Sequence, residues 1–256
     1  MRGFSLVELS IVLVILGLLT GGILAGQSLI HASELRSYMA DYSRYIAALH
    51  SFRGKYFGMP GDITNATKFW GAADPTPATC KTTTPTGTQT CDGDGNGAVR
   101  ESATSFENFQ AWRQMANAGL VEGSFTGLAG TCGAPGDRCP TPGTNIPITK
   151  LNKGGWGLYY VASLSADTGS RYAGRYGNVF YSGKASNDYA DNPFLKTEDA
   201  WNIDTKLDDG KPGYGKIKSY TATSRPNCAS TDVASSAIYD LTQTRSNCTL
   251  LIETGL

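Results

Sequence analysis

Between Leu9 and Ile30 the chain runs for 22 residues without a charge, LSIVLVILGLLTGGILAGQSLI. A helix rising about 1.5 Å per residue would carry that segment across the roughly 30 Å hydrocarbon core of a bilayer. A secretory signal peptide is the alternative. Its apolar region is shorter and is followed by a small-residue cleavage site, which Ala25 and Gly26 imitate. Three details argue against that alternative. Glu8 stands at the edge of the apolar run, where a carboxylate is costly unless paired. Only Met1, Arg2 and Gly3 come before Phe4. Finally, the helical pattern does not stop where a membrane would.

Downstream, Leu35, Met39, Tyr42, Ile46, Leu49, Phe52 and Tyr56 recur at spacings of three and four, one apolar stripe of an amphipathic helix. Ser37, Asp41, Arg44 and Lys55 fall on the other faces. No proline precedes Pro60, and Gly58 with Pro60-Gly61 closes the pattern. The spacing therefore predicts one helix over 4–57, apolar all round in its first half and amphipathic in its second.

The run Gly3-Phe4-Ser5-Leu6-Val7-Glu8-Leu9, followed by an apolar helix leading into a polar remainder, resembles the type IV pilin family. The resemblance reaches only to about residue 30. It implies a leader over residues 1–3, cleavage between Gly3 and Phe4 by a prepilin peptidase, and methylation of the new N-terminal Phe4. It also implies that Glu8 is the acidic residue at the fifth mature position. The chemistry of Glu8 supports such a role independently. Cleavage creates a cationic amine at Phe4, and in an apolar bundle a neighbour's carboxylate and that amine draw subunits into register. The alternative is a glutamate that only caps the helix start, where negative charge is favoured.

Gly17, Gly21, Gly22 and Gly26 each weaken a water-soluble helix by about 1 kcal/mol relative to alanine. Two explanations stay open: close helix packing in lipid, or a stretch that unwinds when subunits pack into a filament. Many pilins have a proline here, and this chain has Ala25 in its place.

The remainder, 58–256, reads as a globular extracytoplasmic head. Its six cysteines, Cys80, Cys91, Cys132, Cys139, Cys228 and Cys248, include no C-x-x-C pair and sit in Gly-, Pro- and Thr-rich surroundings. That pattern reads as three disulfides made outside the cytoplasm rather than a zinc ribbon. Sequence neighbours bracket short loops, which favours Cys80–Cys91, Cys132–Cys139 and Cys228–Cys248. A helix is predicted over 103–118, and strands over 156–164, 178–182, 216–222 and 249–252. Thr197 is the expected cap of a helix beginning at Glu198-Asp199. The expected fold is α+β and pilin-like, a long N-terminal helix packed on a small antiparallel sheet with disulfide-bonded loops. The segments from Phe57 to Asp62, Asn202 to Asp204 and Asp208 to Gly213 resemble those of large prepilin-like bacterial proteins.

Asp92-Gly93-Asp94-Gly95-Asn96-Gly97 places three oxygen-bearing side chains at alternate positions, the opening of an EF-hand-type loop. Asp92, Asp94 and Asn96 are the expected calcium ligands, with Glu101 or Glu107 as the further carboxylate. Ala103 stands at the usual twelfth position, so the loop is a variant at best. The competing reading is a Gly/Asp turn without metal. Asp204, one helical turn before Asp208-Asp209, is a second candidate.

The two histidines, His31 and His50, lie on the long helix, and no G-x-S-x-G, H-E-x-x-H or phosphate-binding glycine loop occurs, so no enzyme is expected. Lys+Arg and Asp+Glu number 22 each, a balance that argues against a specific nucleic-acid partner. The expected function is structural: a subunit of a type IV pilus-like filament, lodged in the cytoplasmic membrane as a precursor and extracellular once assembled. Its partners are then other copies of itself, the prepilin peptidase and methyltransferase, and the pilus assembly machinery. The alternatives are a pseudopilin of a type II secretion system, a minor tip pilin, or a single-pass anchored module that never polymerises.

Overall fold

The computed structural model describes residues 5–100, 105–131 and 138–256. Helix α1 (Leu6–Tyr56) opens with a capping box. The Glu8 N–H donates to the Ser5 hydroxyl at 3.2 Å, and the Ser5 N–H donates to the Glu8 carboxylate at 2.8 Å. The helix stops where Phe57 takes a left-handed φ of 58° and donates its N–H to the Arg53 carbonyl. The predicted span therefore holds to within two residues at the start and one at the end. Gly17, Gly21, Gly22 and Gly26 lie in unbroken helix with open space around each. In the single chain they neither break the helix nor pack against anything.

The two halves of α1 differ as their composition requires. Every large apolar side chain from Leu6 to Ile30 is exposed, and this segment is long and apolar enough to cross a membrane. From Leu35 onward one face is buried, centred on Tyr38, Tyr45 and Phe52, with Ala48 and Leu49 beside them. Leu35, Tyr42, Ile46 and Tyr56 flank that face half-buried, as does Met39. The buried line is thus rotated from the predicted stripe onto two tyrosines that the stripe left out. Aromatic packing accounts for the rotation. The Tyr38 ring lies 4.6 Å from Trp156, and Tyr45 meets Trp112 edge-on at 5.0 Å.

The strands are β1 (Gly155–Val161), β2 (Gly177–Gly183), β3 (Leu195–Lys196), β4 (Ile217–Ser219), β5 (Ser246–Cys248) and β6 (Leu250–Glu253). An antiparallel sheet runs β1-β2-β6-β4, and β3 with β5 forms a separate antiparallel pair. Register places Leu158, Phe180, Ile252 and Ile217 side by side across the sheet, and all four join the core beneath α1. The alternate residues Tyr159, Val179, Tyr181 and Leu251 form a second cluster on the opposite face, following the two-residue period of a strand. The architecture is α+β and pilin-like, a long N-terminal helix laid on an antiparallel sheet.

Four of these strands match the predicted ones: β4 is trimmed at both ends, β1 stops three residues short, β2 extends one residue beyond each end and β6 is shifted by one. The short helix α2 (Ala66–Trp70) and the β3–β5 pair had no sequence prediction. Helix α3 (Glu107–Asn117) starts four residues later than predicted, and Trp112 from it fills the space between Tyr45 and Phe180. Helix α4 (Thr197–Leu207) corrects the expected cap. Lys196 occupies the cap position, and the Thr197 hydroxyl instead donates to the Asn227 carbonyl at 3.0 Å. Cys80–Cys91 and Cys228–Cys248 are paired as expected. Cys139 is also disulfide-bonded, and its expected partner Cys132 lies outside the described residues.

Candidate functional site

Two regions carry the expected functional residues, the start of α1 and the glycine-rich loop over 92–97. At the first, Gly3 and Phe4 lie outside the described residues. Glu8 closes the capping box with Ser5 through one carboxylate oxygen. Among the described residues no side chain of the head reaches it.

The second region is built from two loops distant in sequence. The 92–97 loop lies against the turn that follows α1. The Gly93 N–H donates to the Ile63 carbonyl at 2.9 Å and the Gly95 N–H to the Asp62 carbonyl at 2.9 Å. A Cβ on Gly93 would stand 2.4 Å from the Asp62 backbone, so only glycine permits this approach. A Cβ on Gly61, at φ +86°, would clash more closely still with the Glu107 carbonyl of α3.

These contacts bring together a different carboxylate set from the expected one. Asp62, Asp94 and Glu107 present oxygens all within 4.8 Å of one another. Asp62 accepts from the N–H groups of Asn96 and Gly97, each at 3.0 Å. Glu107 accepts from those of Asp94 at 3.0 Å and Arg100 at 3.2 Å. Burial raises the Glu107 pKa from its ordinary value of 4.5 to about 7, with Asp94 and Asp62 adding repulsion. Burial likewise pushes the Asp62 carboxyl up.

Asp92 is not part of this cluster. Its carboxylate accepts from the Thr67 N–H at 2.8 Å and the Thr67 hydroxyl at 3.0 Å, capping the first turn of α2. The Asn96 side chain turns back onto the Ala98 N–H at 2.8 Å. Glu101 lies outside the described residues. Of the expected ligands, the structure therefore gathers Asp94 and Glu107 and adds Asp62. Three oxygen donors of this kind suit a hard cation such as calcium, or one shared proton. The sequence held no local signal for Asp62, whose part in the cluster depends on long-range contacts at Gly61 and Gly93.

No family model matches this chain, and no curated protein or solved structure matches it.

The second acidic group has structural work. Asp204 is buried and accepts from the Tyr239 hydroxyl at 2.8 Å and the Gly210 N–H at 3.2 Å. Burial raises its pKa from 3.8 to about 7. Asp208 accepts from the N–H groups of Lys216 and Ile217, tying the end of α4 to the start of β4. A contact with no sequence signal joins α1 to α4, where His31 Nε2 lies 2.8 Å from the buried Asp199 carboxylate.

Proposed function

We propose that this chain is a structural subunit of a type IV pilus-like filament. The precursor sits in the cytoplasmic membrane through the first half of α1. Cleavage between Gly3 and Phe4 and methylation of Phe4 then prepare it for an extracellular assembly. The observation that carries this reading is the division within α1. Its Leu6–Ile30 half exposes apolar side chains on every side, while the same unbroken helix is fixed in the head by Tyr38, Tyr45 and Phe52. A helix apolar all round needs apolar neighbours. Outside a membrane, other copies of the same helix supply them, with the heads held outward.

Each apolar side chain taken out of water contributes about 1.5–3 kcal/mol, so bundling has a large driving force and little directionality. Register has to come from a polar contact. Glu8 accepts from the Ser5 N–H, and its side chain is exposed to an outside partner. In the bundle its carboxylate meets the Phe4 amine of a neighbouring subunit. The role of the protein is thus assembly rather than catalysis.

Mass spectrometry of sheared extracellular material tests this reading. The expected result is abundant chain beginning at N-methylated Phe4. A chain found only in the membrane fraction with Met1 intact would overturn it.

A further inference from the structure

Beside α1 the chain descends, turns and climbs again. Phe194 lies next to Tyr38, with ring centroids 6.4 Å apart. Asp199, a few residues later, meets His31 at 2.8 Å, nearer the start of α1. From there α4 rises along α1. At its far end Asp208 adds repulsion to the burial that, as the larger cause, raises the Tyr42 phenol pKa. The bend over 196–199 is therefore the part of this segment closest to the apolar half of α1. Ser246 pairs with Lys196 across β3 and β5, so Arg245 follows at the same end.

His31 fixes the height of this bend against a bilayer. As a helix, the uncharged run from Leu9 to Ile30 just spans the roughly 30 Å hydrocarbon core, so a crossing leaves His31 at its edge. Headgroups occupy about the next 5–7 Å, and Asp199, held by His31, stands in that layer. Trp201 follows on the outward face of α4 with Glu198 and Thr205, opposite the buried Asp199, Ala200 and Ile203. It is 38% exposed. Helical side chains lean toward the N-terminus of their helix, and the N-terminus of α4 points at the apolar half of α1. The indole thus lies at headgroup height.

We propose that this end of the head is a foot resting on a phospholipid surface, with Trp201 among the headgroups and Lys196 and Arg245 on their phosphates. The inference rests on the reading that Leu6–Ile30 crosses a membrane, and adds that the head is seated on the bilayer rather than held clear of it. An indole has an apolar body and one N–H donor, which suits a layer where hydrocarbon meets ester and phosphate oxygens. Lys196 and Arg245 are exposed and extend from the same end. Glu198 is the exposed acid beside them, and its place in the first turn of α4 is one the helix dipole favours. Glu34 is turned toward His31, 4.0 Å away. The rival occupant is a second copy of the head. Continuity favours lipid, because the foot adjoins the membrane-crossing segment at His31.

The test places the full-length chain in phosphatidylcholine vesicles whose acyl chains carry bromine either near the headgroup or near the bilayer centre, and reads tryptophan emission. Trp112 and Trp156 are buried, and Trp70 packs on Tyr56 at the far end of α1, so Trp201 is the tryptophan within reach of lipid. Shallow bromine should quench part of the emission and deep bromine less. Trp201→Phe should abolish the quenching, and Lys196→Gln with Arg245→Gln should reduce it. The comparison of shallow with deep bromine in the unaltered chain needs no variant to fold. Absence of quenching in a chain that floats with the vesicles and resists alkaline extraction overturns the foot and leaves the membrane-crossing reading standing; a second copy covering Trp201 gives this result. Quenching that survives Trp201→Phe, is undiminished in the double variant, or is stronger from the deep label also overturns the foot. A chain that does not float overturns the membrane-crossing reading and the foot with it.

Discussion

His31 Nε2 and Asp199 Oδ1 stand 2.8 Å apart, which joins the first residue after the uncharged run of α1 to the first turn of α4. Asp199 is 4% exposed at its side chain and its other oxygen has no partner among the described residues, so His31 is its anchor. His31→Ala should lower the stability of the full chain in detergent by about 1 kcal/mol. The loss sits at the low end for a buried polar group because the imidazole is partly exposed. Adding Asp199→Leu should recover part of it by removing the orphaned carboxylate. Chemical denaturation of the single and double variants measures both, and a neutral His31→Ala would show that the contact contributes nothing.

Glu8 has two functions that substitution can separate. Glu8→Gln keeps an acceptor for the Ser5 N–H and so keeps the capping box, but removes the charge. Glu8→Val removes both. If register depends on an amine–carboxylate pair, both variants should be cleaved normally and both should give few filaments. Full filament yield from Glu8→Gln would reduce Glu8 to a cap, and full yield from Glu8→Val would end its assembly role.

Stability should vary with pH in the sense opposite to a salt-bridged carboxylate. Glu107 and Asp204 have folded pKa values of about 7 against ordinary values of 4.5 and 3.8. Between those limits the folded state binds more protons than the unfolded one. The contribution is fully present below about pH 4 and is lost as pH rises through 7. Melting curves should therefore show the head more stable near pH 5 than near pH 8, and Glu107→Gln should flatten the slope. Calcium bound by Asp62, Asp94 and Glu107 would hold them ionised, so millimolar calcium at pH 8 should raise the melting temperature and chelation reverse it. A melting curve unmoved by calcium would leave the cluster with only its protons.

The sequence was most informative where local spacing sufficed. The reach of α1 followed from an uncharged run, a three-and-four repeat and the Gly58/Pro60 stop. The main strands followed from the runs rich in Tyr, Val and Phe over 156–164 and 178–182. It was less informative where a residue's chemistry is double. Tyr38 and Tyr45 have polar tips, yet their rings form the centre of the buried face. The spacing of Asp92, Asp94 and Asn96 looks the same whether the loop wraps an ion or caps a helix, and Thr67 claims Asp92. Asp62 joins Glu107 only because Gly61 and Gly93 let three chain segments touch, a tertiary fact with no local signature.

Among the crosslinks, Cys228–Cys248 closes the longer of the two described loops, with a separation of 20 residues against 11 for Cys80–Cys91. Chain entropy assigns it about 3 kcal/mol, roughly half a kcal/mol more than the shorter one. Replacing each pair by alanines and comparing denaturation midpoints measures the order. Peptide mapping without reductant should also recover Cys132–Cys139, and a cross-pairing among the three groups would contradict the neighbour rule.

The continuity of α1 has a mechanical consequence. Because α1 is unbroken from Leu6 to Tyr56, a pull on its N-terminal half reaches the sheet along the helix itself rather than through a linker. The aromatic grip of Tyr38, Tyr45 and Phe52 on Trp156, Trp112 and Trp70 bears that load in shear. The stretch from Gly17 to Gly26 is the weakest part of the rod, since each glycine weakens the helix by about 1 kcal/mol and none is braced by a neighbour. Under tension it should lengthen first and protect the head from unfolding, acting as a built-in spring.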